Sequence, residues 1–80
     1  SESPTAKQVS IILDEPIDYE VSKRLKAVFY QWPGNNVVAL IVNRQSGNNQ
    51  KIKTNFRVIY NDQFVQEISE ILGDKRVALD

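Results

Sequence analysis

The sequence contains no cysteine and no histidine among its 80 residues. Without cysteine the chain can form no disulfide and offers no thiolate as nucleophile or metal ligand. Without histidine it also lacks the side chain that most often serves as a general base or metal ligand near neutral pH. These absences exclude most catalytic designs, so the sequence predicts a non-enzymatic domain without a cofactor.

The chain also lacks a net charge, because ten acidic residues balance ten basic ones. No general attraction to nucleic acid or to an anionic membrane is therefore expected. Its central apolar run, Val37–Val42, is far shorter than the roughly 20 residues that span a membrane. Neither a signal peptide nor a membrane contact is indicated, and we expect a cytoplasmic protein.

Eighty residues suffice for one small domain, and a second core is excluded at this length. Residues 1–7 are mostly small and polar and include Pro4, a composition typical of a flexible linker. Residues 8–80 are predicted to form a single α/β domain.

The segment Asn35–Asn43 (NNVVALIVN) is predicted to be the central strand. Its uninterrupted, largely β-branched apolar run is typical of a strand that is covered on both faces. Two-residue and 3.6-residue periodicities predict the other elements. These are a strand with Val9, Ile11 and Leu13 on one face, a helix from Asp18 to Pro33, a loop over residues 43–50, a strand to Val58, a helix from Asn61 or Asp62 to Gly73, and a strand over residues 76–80.

The predicted order is βαββαβ, with two helices and a four-stranded mixed sheet. Two sheet orders remain open. With the strands side by side in chain order, the helices lie on opposite faces, which the apolar central strand favours. In the ferredoxin-like α+β alternative, both helices share one face. Ile12 and one side of Val37–Val42 would then be uncovered, and such an apolar patch usually marks a protein interface.

Basic residues at strand spacing form one candidate interaction surface, made of Lys51, Lys53 and Arg57 with Arg44 in the adjoining loop. Such a stripe can follow a single-stranded nucleic acid. Nucleic-acid platforms normally carry aromatic side chains on the same face, however, and Phe56 alternates to the opposite face. A solvated edge strand, whose lysines discourage pairing with other edges, is therefore favoured.

Trp32, beside Pro33, is a further candidate for an interface anchor. A place in the core is favoured, because it continues the apolar helical series of Val21, Leu25 and Phe29.

Four carboxylates, Asp14, Glu15, Asp18 and Glu20, lie near the start of the first helix. They could hold a hard divalent cation. A helix cap and favourable charges at the positive end of the helix dipole explain them more simply.

Four segments together resemble a known family. They are Leu25-Lys26, Gln31–Leu40 (QWPGNNVVAL), Phe56–Val58 (FRV) and Phe64–Gly73 (FVQEISEILG). In this order they resemble the extreme C-terminal domain of the bacterial replicative DNA polymerase III α subunit. The chain has tryptophan where that family often has histidine, and asparagine where it often has proline, before the central strand.

The resemblance implies a non-catalytic piece of a DNA-directed DNA polymerase that lies beyond its OB domain. It also implies an incomplete Rossmann-like α/β fold, which agrees with the strand order favoured above. In that family this region contacts the τ subunit of the clamp loader. The resemblance thus implies τ and the neighbouring OB domain as partners. It transfers no τ-binding residue, because some family members carry τ contacts on a tail beyond the last strand.

Overall fold

A computed structural model describes residues 7–79 of the chain. Of the predicted linker only Lys7 is described, and residues 1–6 lie outside the described range. The predicted order of elements is confirmed. The elements are β1 (Val9–Asp14), α1 (Tyr19–Gln31), β2 (Pro33–Asn43), β3 (Asn49–Val58), α2 (Asp62–Leu72) and β4 (Val77–Leu79).

The four strands form one mixed sheet, which confirms the predicted fold class, but their order is β3-β2-β1-β4. β1 and β2 pair in parallel, as the first βαβ unit requires. β3 and β4 pair antiparallel to β2 and β1 respectively, so both run in the same direction at opposite edges. The predicted chain order is therefore wrong for β4, and the interleaved ferredoxin-like order is not seen either.

Both helices lie on the same face of the sheet, which corrects the favoured prediction of helices on opposite faces. α1 and α2 pack against each other, and both contribute to a single core. The physical reason is the long second crossover. The connection that leaves β3 at one edge and enters β4 at the other carries α2 back across β2 and β1. Because this return is right-handed, it brings α2 to the side that α1 occupies.

The core lies between the helices and one face of the sheet. The predicted apolar faces of β1 and of both helices are confirmed, since most of these side chains are buried and the others, Val21, Trp32, Ile71 and Leu72, are partly buried against the core. Its buried members include Val9, Ile11, Leu13, Leu25, Val28, Phe29, Val38, Val58, Phe64 and Ile68. Burial of these side chains is the main force that holds the domain together.

Local signals at the helix termini lie where the sequence predicts them. The Asp18 carboxylate accepts a hydrogen bond from the backbone N–H of Glu20 at 2.8 Å, and the Asn61 amide oxygen accepts one from Phe64 at 2.7 Å. Both side chains thereby satisfy free donors of a first helical turn. Gly73 follows α2 with a φ of 101°, a conformation that favours glycine. No helix in the described range is long and apolar enough to cross a membrane.

Candidate functional site

The sheet face opposite the helices, here called the open face, carries neither helix of the described chain. Strand register identifies its side chains, because residues paired across neighbouring strands point to the same face. Members of the helix-side core occupy the alternate positions. The open face comprises Ser10, Ile12, Asp14, Val37, Ala39, Ile41, Asn43, Asn49, Lys51, Lys53, Arg57 and Ala78.

The centre of the open face is apolar and shallow. Ile12 of β1 pairs directly with Ile41 of β2, and both remain partly exposed. Beside them Ser10 pairs with Ala39, and these two small residues are 4% and 0% exposed although no helix covers them. Larger neighbours on the same face shield them, so the accessible apolar surface is that of the isoleucine pair and of the partly exposed Val37.

One edge of the open face is positively charged. Lys51, Lys53 and Arg57 of β3 pair with Ile41, Ala39 and Val37 of β2, so the three cations line the apolar centre. We call these three residues the basic row. All three side chains are exposed, and none forms an ion pair with another described residue. Their charge is therefore available to a partner.

The opposite edge is neutralised within the chain. The Arg76 guanidinium, just before β4, contacts the Asp14 carboxylate at 2.7 Å. Asp14 also accepts a hydrogen bond from the Asn43 amide at 3.0 Å. The hydrogen bonds from Arg76 and then Asn43 hold the pKa of Asp14 below its usual value. Free positive charge on the open face is thus confined to the basic row.

The two other candidate residues lie apart from the basic row. The Arg44 guanidinium hydrogen-bonds the Gln50 side chain and lies 4.0 Å from the Glu15 carboxylate. Trp32 is partly buried against the helix-side core, as its place in the apolar series predicts. Its indole N–H donates to the Glu67 carboxylate at 3.1 Å. Of the five residues predicted as an interaction surface, the structure brings together only three.

The four carboxylates near α1 have separate local roles. Asp14 pairs with Arg76, and Asp18 caps α1. Glu15 accepts a hydrogen bond from the backbone N–H of Gln45 at 3.2 Å, and Glu20 lies 3.5 Å from the Lys23 ammonium. Within residues 7–79 no three acidic side chains converge as metal ligands would.

Sequence reasoning missed an apolar cavity of about 80 Å³ on the helix side of β3. It lies between α1 and the sheet, and its walls include Leu25, Phe29, Leu40, Thr54 and Phe56. The helical and strand patterns mark these residues as core, but they do not reveal that two short helices leave the edge strand incompletely covered.

A comparison of the chain with protein-family models and with curated proteins found no match. The resemblance to the polymerase α subunit therefore remains a prediction from the sequence.

Proposed function

We propose that this chain is a non-catalytic protein-interaction domain that binds an acidic partner protein across the open face of its sheet. The observation that carries the proposal is the basic row, which stands unpaired beside the half-buried Ile12 and Ile41. Specific interfaces commonly combine an apolar centre with charged groups at the rim. The lack of cysteine and histidine in the sequence also favours binding over catalysis.

The chemistry of the open face defines the partner. A surface that carries apolar side chains flanked by carboxylates would cover Ile12 and Ile41 and face Lys51, Lys53 and Arg57. Opposite charges at the rim chiefly raise the association rate and select the orientation. Burial of the isoleucine pair would supply the apolar contribution.

The sequence resemblance supplies a candidate for that partner. If the chain is the C-terminal piece of a DNA polymerase III α subunit, the partner is the τ subunit of the clamp loader, and the adjoining OB domain packs nearby. This identity would also place the protein in the bacterial cytoplasm, as part of the replication machinery. The resemblance is the only support for these names, whereas the basic row supports the interaction itself.

Calorimetric titration of the chain with the C-terminal region of τ tests the proposal. We expect heat of binding for the native chain, weaker binding for Lys53→Glu on the basic row, and unchanged binding for Arg24→Glu on the exposed side of α1. Equal weakening by both substitutions would show only a general charge effect. The absence of heat for the native chain would refute the τ assignment and leave packing on the neighbouring domain.

A second candidate function is binding of single-stranded nucleic acid, which the basic row alone favours. None of the residues that register places on the open face is aromatic. Phe56 instead packs on the helix side, with its ring centre 5.1 Å from that of Phe29. Titration with an oligothymidylate checks this function: shifts of the β3 amide resonances that weaken steeply with salt would support it.

A further inference from the structure

β3 is an edge strand with one side free to accept another strand. It lies outermost in the sheet and pairs only with β2 among the described strands. From Gln50 to Lys53 the pairing with β2 advances residue by residue. Beyond Lys53 the register shifts, and the Thr54 hydroxyl donates to the carbonyl oxygen of Val38 at 2.7 Å. The regular part of β3 thus offers a short template for strand pairing.

The apolar cavity lies along this same strand. Its wall on α1 is formed by Ser22, Leu25, Lys26 and Phe29, which recur at helical spacing. The groove between the two helices lies on a neighbouring side of α1, where Val28 and Trp32 line it. Phe29 lies between the two sides, with its ring centre 6.4 Å from that of Phe64 in α2. The cavity therefore opens on the side of α1 that faces the β3 edge.

Apolar side chains surround this edge without being covered. Ile52 is 40% exposed and Tyr30 is 73% exposed. The Tyr30 ring stands edge-on to Phe56, with ring centres 5.5 Å apart. An apolar group held beside Ile52 would remove that side chain from water, and a second one further along β3 would cover Tyr30 and the mouth of the cavity.

We propose that β3 binds an extended peptide segment as a fifth strand, and that apolar and acidic residues alternate in that segment. Its apolar side chains would point to the helix side, next to Ile52 and the cavity. Its acidic side chains would point to the open face, opposite Lys51 and Lys53. This alternation follows from the pleat of a strand, which sends successive side chains to opposite faces. Strand addition of this kind gains affinity from backbone hydrogen bonds and specificity from the alternate side chains.

The basic row selects against a second copy of this chain as the occupant. Antiparallel pairing of two β3 strands would set lysines of one copy against cations of the other, and like charges directly opposite each other are destabilising. An acidic segment turns the same cations into favourable cross-strand neighbours. Lysines that protect the edge from self-association thereby become the determinants of ligand choice.

This inference rests on the proposed function only in one respect: Lys51 and Lys53 take part both in docking across the open face and in strand addition at β3. Docking across the open face would perturb Ile12 and Ile41, whereas strand addition would perturb Thr54, Phe56 and Leu25. The location of the perturbation therefore separates the failure of one from the failure of the other.

The test is a titration of the isotopically labelled chain with a short synthetic peptide in which glutamate and leucine alternate. We expect shifts at Leu25, Thr54 and Phe56, together with slower hydrogen exchange of β3 amides. A peptide of the same composition, with its glutamates and leucines in two separate blocks, should bind at least about threefold more weakly, because it cannot present one residue type to each face.

Two variants sharpen the test. Lys53→Glu should weaken binding of the alternating peptide by about threefold or more, since a favourable cross-strand pair becomes a repulsive one. Arg24→Glu, an equal charge change on a side of α1 that faces away from the β3 edge, should leave binding within about twofold. Equal binding of both peptides, no binding of the alternating peptide, or shifts confined to Ile12 and Ile41 would each overturn strand addition. The last of these results would still support docking on the open face.

Discussion

The Trp32 indole N–H donates a hydrogen bond to the Glu67 carboxylate, with 3.1 Å between Nε1 and Oε2. This contact links the residue that ends α1 to the middle of α2 and closes one end of the groove between the helices. It is partly buried, so water competes for it less than at the surface. The contact therefore helps to fix how the two helices pack on a shared face.

Replacement of Trp32 by phenylalanine should lower the free energy of unfolding by about 1 to 2 kcal/mol, through loss of this hydrogen bond and of some apolar contact. Glu67→Gln keeps an oxygen that can accept the hydrogen bond from the indole N–H and should cost less. Urea unfolding of the two variants measures the difference. A larger loss for Glu67→Gln would mean that the negative charge, and not the hydrogen bond, stabilises the pair.

The Asp14 carboxylate should make stability depend on pH in the acid range. Its hydrogen bonds to Arg76 and Asn43 lower its pKa in the folded state below the ordinary value of 3.8. The stabilisation is therefore fully present above pH 3.8 and is lost as the pH falls from there through the lower folded-state pKa. Asp14→Asn should flatten this part of the curve of unfolding free energy against pH.

Arg76→Gln provides the independent check, because it removes the guanidinium that contributes most to the lowered pKa. We expect it to flatten the curve of unfolding free energy against pH in the same acid range, called here the acid limb, as Asp14→Asn does. If the double variant is flatter than either single variant, other carboxylates share the effect. An unchanged acid limb in both single variants would contradict the role assigned to this pair.

The sequence predicted the elements and their order because each depends on local signals. The side chains of Asp18 and Asn61 cap the helices, and Gly73 follows α2 with a positive φ. The core faces also followed from periodicity, since Val9, Ile11 and Leu13 alternate along β1 and are buried. Such signals need no knowledge of which strands pair.

The sheet order was not predictable in the same way, because it depends on where the second crossover returns. The apolar run of β2 suggested cover on both faces, yet Ala39 is fully buried on a face without a helix. It is small and lies between Ser10 and the long side chain of Lys53, its partners on either side. An apolar pattern reports burial, and here neighbouring side chains provide part of that burial without a second layer.

The candidate site was predictable in part, because the alternation of side chains along a strand is a local signal. Alternation correctly put Lys51, Lys53 and Arg57 on one face and Phe56 on the other. The sequence could not show that Arg44 is held at Gln50, or that Trp32 reaches Glu67, because these contacts depend on packing between elements.

Gly34 should tolerate no side chain, because the backbone of the β3 terminus lies directly against it. A Cβ atom there would come within 2.6 Å of the Val58 carbonyl oxygen and 2.5 Å of the Ile59 nitrogen. Backbone atoms cannot move aside as a flexible side chain can, so Gly34→Ala should cost about 2 to 3 kcal/mol in unfolding free energy.

Gly47 gives the matched control for Gly34. It has a φ of 97° but no atom within 4 Å of the position a Cβ would take. Gly47→Ala should therefore cost only about 1 kcal/mol, from the unfavourable backbone conformation alone. Thermal unfolding of both variants compares the two effects, and a loss at Gly34 no larger than that at Gly47 would mean that the backbone around Gly34 relaxes enough to relieve most of the close approach.

The cap of α2 should contribute measurably to stability. The Asn61 oxygen accepts from the Phe64 backbone N–H at 2.7 Å, so Asn61→Ala leaves that donor without its partner. The expected loss is about 1 kcal/mol. Asn61→Asp keeps an acceptor at the same place and should lose little, as chemical denaturation of both variants would show. Equal losses in the two variants would assign the effect to something other than the cap.

The helix-side core and the open face should respond differently to the loss of an isoleucine. Ile68 of α2 is 0% exposed in the core, whereas Ile41 lies partly exposed on the open face. Ile68→Ala should cost about 3 to 4 kcal/mol, because it removes apolar contact and leaves a cavity. Ile41→Ala should cost nearer 1 kcal/mol, since solvent can fill the space that the side chain leaves.

Measurement of both variants by urea unfolding, with and without a partner protein, separates folding from docking. Ile41→Ala should weaken partner binding while it leaves the domain folded, because Ile41 lies at the accessible centre of the open face beside the basic row. An equally large loss of unfolding free energy in both isoleucine variants would mean that the open face is covered within this chain. The open face could then not serve as the docking surface, and strand addition at β3 would be the binding mode left to test.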